Sequence, residues 1–345
     1  MSKISLLDCT LRDGGYVNDW RFGEKEIPEI AEKLEASGAD MLELGFLEDE
    51  PYQPDRTIFN SIDQVKQLIG KKHPGTIYSV MAEVSTPIPV EKIAPADPDG
   101  PDLIRVIIWK NKHAADGSLI DMLPESYEYC RRIAKKGYRL CIQPARVSQY
   151  SDKEFTAMLR MFSRLDPVAI YVVDSWGIMY TDELMHYVRL ADDTLPTSIA
   201  IGYHGHNNMM QAFAIAEHLL NEPMERDLII DASVYGIGRG AGNLNTELIA
   251  KYMNRALNRS YRIEPLMEVF DRYLKDVFHR VPWGYSPGFF TTACYNANPN
   301  YASFYEQELG LSARQIEELL SAMTPEERVI YKKATAEKYL HALVE

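Results

Sequence analysis

The stretch IPEIAEKLEASGADMLELGF, residues 27–46, carries the unit on which the fold turns. Ile27, Ile30, Ala31 and Leu34 fall at the i, i+3, i+4, i+7 spacing that gives a helix one apolar face. Residues 41–46 then read as a short buried strand. Outward from this unit, similar strand runs rich in Ile, Val and Tyr occur at 4–7, 77–84, 103–109, 138–143, 169–173, 199–203 and 228–234. Helical patterns at 120–133, 155–165, 184–190, 212–220 and 244–253 separate most of them, while the link 85–101, with five prolines, reads as a loop. Each return to a parallel neighbour needs a crossover of a dozen or more residues, so the alternation implies a parallel sheet.

About eight repeats ending near Asn258 match the roughly 250 residues of a (β/α)₈ barrel. A doubly wound open sheet is the rival, but no G-x-G-x-x-G follows the first run. The expectation is therefore an α/β chain with a (β/α)₈ TIM barrel over 1–258 and a mainly helical C-terminal extension over 259–345. Helical runs at 265–278, 313–323 and 325–340 flank a loop holding eight aromatic residues between Trp283 and Tyr305. These read as packing against the barrel or a dimer mate rather than as a substrate lid.

The chain has 345 residues, 46% of them hydrophobic and 25% charged, the balance of a globular enzyme with a sizeable core. A net charge of −13 disfavours nucleic acid and anionic lipid as partners. No apolar run approaches the roughly 18 residues of a membrane helix, and a cytoplasmic protein is expected. Cys9, Cys130, Cys141 and Cys294 lie far apart without a C-x-x-C pair and read as buried thiols.

In such a barrel, chemistry sits at the C-terminal ends of the strands. Residues two apart on a strand share a face, so His204 and His206 would point at one place on the mouth. A carboxylate is needed to complete a metal site, and Asp13, one strand removed across the closing eighth strand, supplies it as a two-His, one-carboxylate face. Glu43, a lone carboxylate in a buried strand, needs a cation; Arg12 on the neighbouring strand is the natural partner. Asp8 reads as a hydrogen-bonding residue. The glycine-rich run 236–243 reads equally as a phosphate loop or a tight turn.

Together these residues resemble the DRE-TIM metallolyases, the HMGL-like superfamily. Asp8-Cys-Thr-Leu-Arg12-Asp13-Gly is similar to its D-x-T-L-R-D-G signature, Glu43 to its second-strand Glu, His204-Gly-His206 to its H-x-H, and Gly240-Ala-Gly242-Asn243 to its G-x-G-N. His204-Gly-His206-Asn207-Asn208 and Gly284-Tyr285-Ser286 are most similar to its pyruvate aldolases of the 4-hydroxy-2-oxovalerate type. The resemblance implies a divalent-metal-dependent aldolase that cleaves or forms a 4-hydroxy-2-oxo acid through a pyruvate enolate. Asp13, His204, His206 and Asn243 would ligate Mn²⁺, Mg²⁺ or Zn²⁺, and Arg12, oriented by Glu43, would steady the enolate oxygen. Gln143 and Ser175 stand at strand ends, where substrate contact and loop hydrogen bonding are equal readings; Tyr285 is a further candidate contact. Trp109 would form pocket wall, and Lys110 is equally a surface charge. Tyr16 stands where the catabolic aldolases carry a histidine base, leaving Tyr16, Tyr285, His279 and a metal-bound water as candidate bases. The partners implied are a small 2-oxo acid, an aldehyde and a second copy of the chain. A Claisen-type 2-oxo acid/acyl-CoA synthase is the alternative, followed by a carboxyltransferase and a barrel without turnover.

Overall fold

A computed structural model describes residues 3–113 and 118–344. Eight parallel strands form a barrel: β1 (Ile4–Asp8), β2 (Met41–Leu47), β3 (Ile77–Glu83), β4 (Leu103–Ile108), β5 (Arg139–Pro144), β6 (Ala169–Asp174), β7 (Ala200–Gly205) and β8 (Leu228–Ala232). Strand β1 pairs with both β8 and β2, with Leu7 opposite Met41 and Asp8 opposite Leu42, and this closes the ring. All seven residues of β2 are buried, because helices cover its outer face and side chains fill the inside.

The helices between strands pack one apolar stripe inward. In Glu26–Ala36 the buried residues are Ile27, Ile30, Ala31 and Leu34, and each of the two isoleucines and the leucine is worth about 1.5–3 kcal/mol when fully buried. Asp152–Phe162 starts where Ser151 and Glu154 cap one another's backbone, which satisfies N–H groups a helix leaves free.

The structure adds a helix at Ile62–Ile69, which joins β2 to β3 with Ile62, Val65 and Ile69 on its buried face. Three expectations about secondary structure are corrected. The expected helix start at 120 is a strand, since Leu119–Asp121 pairs with Asn111–His113 in a hairpin. The helix itself is Leu123–Ala134, set by Pro124 in its first turn. The aromatic loop is partly helical, with Pro287–Cys294, Asn300–Ala302 and a π-helical turn at Ser303–Glu308. The run 325–340 is broken into Pro325–Val329 and Lys333–Val344.

Tyr301, Phe304 and Tyr305 build a second small core with Ile316, Leu319 and Leu320. This C-terminal region stands over the barrel mouth: Trp283 Nε1 donates to Tyr235 O at 2.8 Å, and Arg239 Nη2 to the side-chain oxygens of Asn298 (3.2 Å) and Asn300 (3.3 Å). Cys294 is exposed, in contrast to the other three thiols. Among the described residues no helix is long and apolar enough to cross a membrane.

Candidate active site

The barrel interior is charged where most of its neighbours are apolar. Glu43 on β2, Arg105 on β4 and Asp231 on β8 are each at most 1% exposed. Burying charge is costly unless each group is paired, and here the pairs run as a chain. Arg12 Nε donates to Glu43 Oε2 at 2.5 Å, and Arg105 Nη1 approaches the same oxygen at 2.9 Å. Arg105 Nη2 reaches Asp231, whose Oδ2 also contacts His204 Nδ1 at 3.0 Å. His204 Nε2 lies 3.5 Å from Asp13 Oδ2, which Arg12 Nη1 contacts in turn.

Arg12 and Asp13 sit on a single helical turn, Thr10–Asp13, rather than on the strand itself. Asp8 forms that turn: its carboxylate accepts from Thr10 N (2.9 Å) and Thr246 Oγ1 (2.6 Å), the hydrogen-bonding role read for it. Burial lifts its pKa to about 6. The glycine-rich run after β8 folds back against the same turn. Arg239 N donates to Asp13 Oδ1 at 3.2 Å and Asn243 Nδ2 to that oxygen at 3.0 Å, so the glycines serve a close approach to Asp13.

One ligand atom from each of Asp13, His204 and His206 lies within 4.8 Å of the others, and all three residues are buried. Burial presses on every charge here, but unequally. Burial opposes Arg12's charge, yet Glu43 and Asp13 outweigh it and keep the guanidinium protonated. Burial would raise Asp13, but Arg12 holds it well below the usual carboxylate range. Asp231 is lowered for the same reason by Arg105. His206 is driven to about 3, chiefly by burial, and is a neutral imidazole at pH 7. His204 is raised because Asp13 and Asp231 outweigh its burial. Two guanidiniums face three carboxylates in this chain, so a proton on His204 or a cation among the ligands must balance it.

The residues fit a divalent cation on two further counts. His206 Nδ1 and Asn243 Oδ1 are buried with no hydrogen-bond partner, which is costly for groups that nothing else engages. The Asp231 contact at Nδ1 leaves His204 Nε2 directed at Asp13, the arrangement that orients a ligating imidazole.

A cavity of about 100 Å³ opens above the cluster, room for a few waters or one small acid. Arg12, Asp13, Tyr16, Gln143, Ser175, His204 and His206 all line it. Gln143 satisfies Arg105 with its amide oxygen turned to the guanidinium, 3.1 Å from Nε, and Ser175 Oγ accepts from Arg146 N at 2.9 Å. Trp109 is wall, and its Nε1 donates to Glu83 Oε1 at 2.9 Å. Arg12 Nη2 is buried with no partner.

Three sequence candidates lie elsewhere. Tyr285 is 57% exposed, packs against Phe290 and does not line the cavity. His279 is exposed at the end of its helix, beside Phe278. Lys110 pairs with Glu154 at 2.7 Å as a surface charge. Tyr16 is placed at the cavity, 39% exposed; partial loss of hydration, with Glu83 adding to it, lifts its phenol above the ordinary range, which makes it a poor base at neutral pH. Sequence reasoning missed Arg105 and Asp231, although a charge inside LIRVII and LIIDA is the same signal that singled out Glu43. It also missed Glu83, Arg146 and Trp176 on the cavity wall, for which strand-end position was the available clue.

Residues 110–271 match the HMGL-like family model. The chain is 23% identical over 256 residues to 4-hydroxy-2-oxovalerate aldolase of Bacillus cereus, covering 73% of this chain and 70% of that protein. It is 23% identical over 288 residues to an oxaloacetate decarboxylase of Mycobacterium tuberculosis, covering 81% and 78%. Among solved structures, the N-terminal domain of an aldolase-like protein from Bacteroides vulgatus superposes with a TM-score of 0.70 at 19% identity, over 91% of this chain and 99% of that one, a likeness of fold.

Proposed function

Because the chain carries an HMGL-like domain on a closed barrel, we propose that it is a divalent-metal-dependent aldolase that cleaves or forms a 4-hydroxy-2-oxo acid by way of pyruvate enolate. The observation that carries this reading is the Asp13, His204, His206 cluster facing the same cavity as the unpartnered Nη2 of Arg12. The names of the two relatives share one chemistry, since losing an aldehyde from a 4-hydroxy-2-oxo acid or CO₂ from oxaloacetate leaves the same enolate.

Asp13, His204 and His206, with Asn243 beside them, would hold a divalent cation, which when bound supplies Lewis-acid polarisation of the 2-oxo group. Arg12 donates through Nη2 to the oxygen on which negative charge develops. Glu43 fixes the direction of that donor by engaging Nε. Ser175 has its Oγ lone pair engaged by Arg146 N, so its hydroxyl proton is free for the substrate carboxylate. Glu83, a wall carboxylate that no arginine engages among the described residues, accepts the proton of the 4-hydroxyl in the cleavage direction. Tyr16 keeps its phenol proton at neutral pH and donates to the oxygen of the departing aldehyde.

Deuterium exchange into the pyruvate methyl, followed by NMR, tests the reading without knowledge of the aldehyde. Exchange should require Mg²⁺ or Mn²⁺, stop on chelation, and fall by about 10²–10³ in Arg12→Ala. Exchange that survives chelation, or that is undiminished in Arg12→Ala, overturns it.

A further inference from the structure

Two guanidiniums on the cavity wall have no part in the chemistry above. Arg146 follows β5 in the left-handed conformation, φ 56°, and its guanidinium lies 4.8 Å from the Trp109 ring and 5.1 Å from that of Trp176. Such stacking fixes the plane of the group and leaves its N–H edge free. Arg239, on the loop after β8, donates to the neutral oxygens of Asn298 and Asn300, and its guanidinium lies 5.9 Å from the Tyr16 ring. Among the described residues neither guanidinium has a carboxylate within 4.0 Å, whereas Arg12 on the same wall has two. Glu83, a carboxylate on the same wall, pairs with neither of them: Trp109 Nε1 and Ser85 Oγ both donate to its Oε1. Burial, and then repulsion from Arg239, draw Arg146 down to about 10. An anion between the two would relieve that repulsion.

Both arginines stand on the outward side of the cavity. Arg146 also borders a groove that opens beneath Pro325, Val329 and Ile330, and Arg239 borders a second chamber under the C-terminal helices. The ligand cluster and Arg12 are on the inward side, where pyruvate would be held.

Resting on the aldolase reading, we propose that Arg146, assisted by Arg239, binds a second anionic group on the substrate, carried by the fragment that leaves as an aldehyde. The substrates are then 4-hydroxy-2-oxo acids with a carboxylate or phosphate at the far end. In the forming direction pyruvate loses one methyl proton, its C3 bonds to the aldehyde carbon, and the resulting alkoxide takes up a proton. No oxidant or further reactant enters. This substrate class also separates the reaction from decarboxylation, in which a carboxylate held by an arginine would be kept from leaving as CO₂.

The test is condensation of pyruvate with propanal, succinic semialdehyde and glyceraldehyde 3-phosphate, using the full-length protein and the variants Arg146→Gln and Arg146→Lys. The wild type is expected to favour one anionic aldehyde over propanal by on the order of 10² in kcat/KM, and the favoured one identifies carboxylate or phosphate. Arg146→Gln should lose that preference through the KM of the aldehyde. Equal use of all three aldehydes by the wild type, a preference that survives Arg146→Gln, or a loss that falls on the KM of pyruvate overturns the proposal. Should Arg146→Gln fail to fold, Arg146→Lys decides: the preference persists if charge is what is read and its disappearance counts against the proposal. A wild type that exchanges no pyruvate protons sinks the aldolase reading and this one together; exchange without anion preference sinks this one alone.

Discussion

Replacing Asp231 by Asn tests whether the buried charge chain exists to serve a metal. Asp231 does not itself line the cavity; it accepts from His204 Nδ1 at 3.0 Å and pairs with Arg105, whose Nη1 also lies 2.9 Å from Glu43 Oε2. Loss of a carboxylate behind a ligating imidazole typically weakens metal affinity by about 10–100-fold. At a metal concentration of about 100 times the wild-type Kd, binding stabilises the wild type by about 2.7 kcal/mol; at thirty-fold weaker affinity the gain is about 0.9 kcal/mol. For 345 residues the unfolding entropy is of order 0.7 kcal/mol/K, so Mn²⁺ should raise the wild-type Tm by about 4 °C and that of Asp231→Asn by about 1 °C. Calorimetric melts with and without Mn²⁺ read the gain in each protein separately, so any difference between the metal-free proteins drops out. Equal gains would refute the role given to Asp231 and, with it, the account of why a carboxylate lies inside β8.

Three other outcomes are expected. His204 is raised above its ordinary 6.5 by Asp13 and Asp231, so metal must displace its proton; affinity should strengthen as pH rises through and above that value, and calorimetry in buffers of different ionisation enthalpy should register proton release, whereas buffer-independent heats at pH 6 would contradict this. Asp8 titrates at about 6 against an ordinary 3.8. The folded state therefore holds its proton more tightly, and that contribution, roughly 3 kcal/mol, is complete below pH 3.8 and is lost as pH rises through 6. Asp8→Asn should flatten the stability profile between pH 4 and 6 in urea titrations; an unchanged slope excludes it. Gly202 faces the Tyr171 ring, which carries Arg105 on its face at 4.7 Å, and a Cβ there would overlap the ring. Gly202→Ala should cost about 1–3 kcal/mol of stability and slow pyruvate exchange through Arg105 and Glu43. Wild-type values for both would show that the interior layer does not transmit strain.

The barrel was readable because parallel strands buried on both faces are near-continuous apolar runs, and all eight barrel strands overlap the runs found in the sequence. The Arg12–Glu43 pair was readable for a related reason, since a charge inside such a run must be compensated. Arg105 and Asp231 break their runs in the same way, but each has its partners on other strands, and only closure of the ring brings 105, 231 and 43 together. The C-terminal region resisted because Pro287–Cys294 is apolar on nearly every side and shows no helical period. Tyr285 and His279 were misplaced for want of direction: their chemistry suits a site, but the path of a helical segment over the mouth is set by packing between distant residues such as Trp283 and Tyr235.

The vault over the mouth, a chamber of about 530 Å³ bounded on one side by Tyr16, Trp109 and Arg239 and on the other by Trp283, Phe289 and Asn300, divides labour within one chain. On the proposed reading, carbon acidity would be set by groups sunk in the cylinder, which share one chain of ion pairs. On that reading admission would be set by the canopy, which has a nucleus of its own around Tyr301 and Leu320 and meets the cylinder at Arg239 through Asn298 and Asn300. A descendant could thus trade one electrophile for another by editing the canopy and inherit the enolising machinery intact.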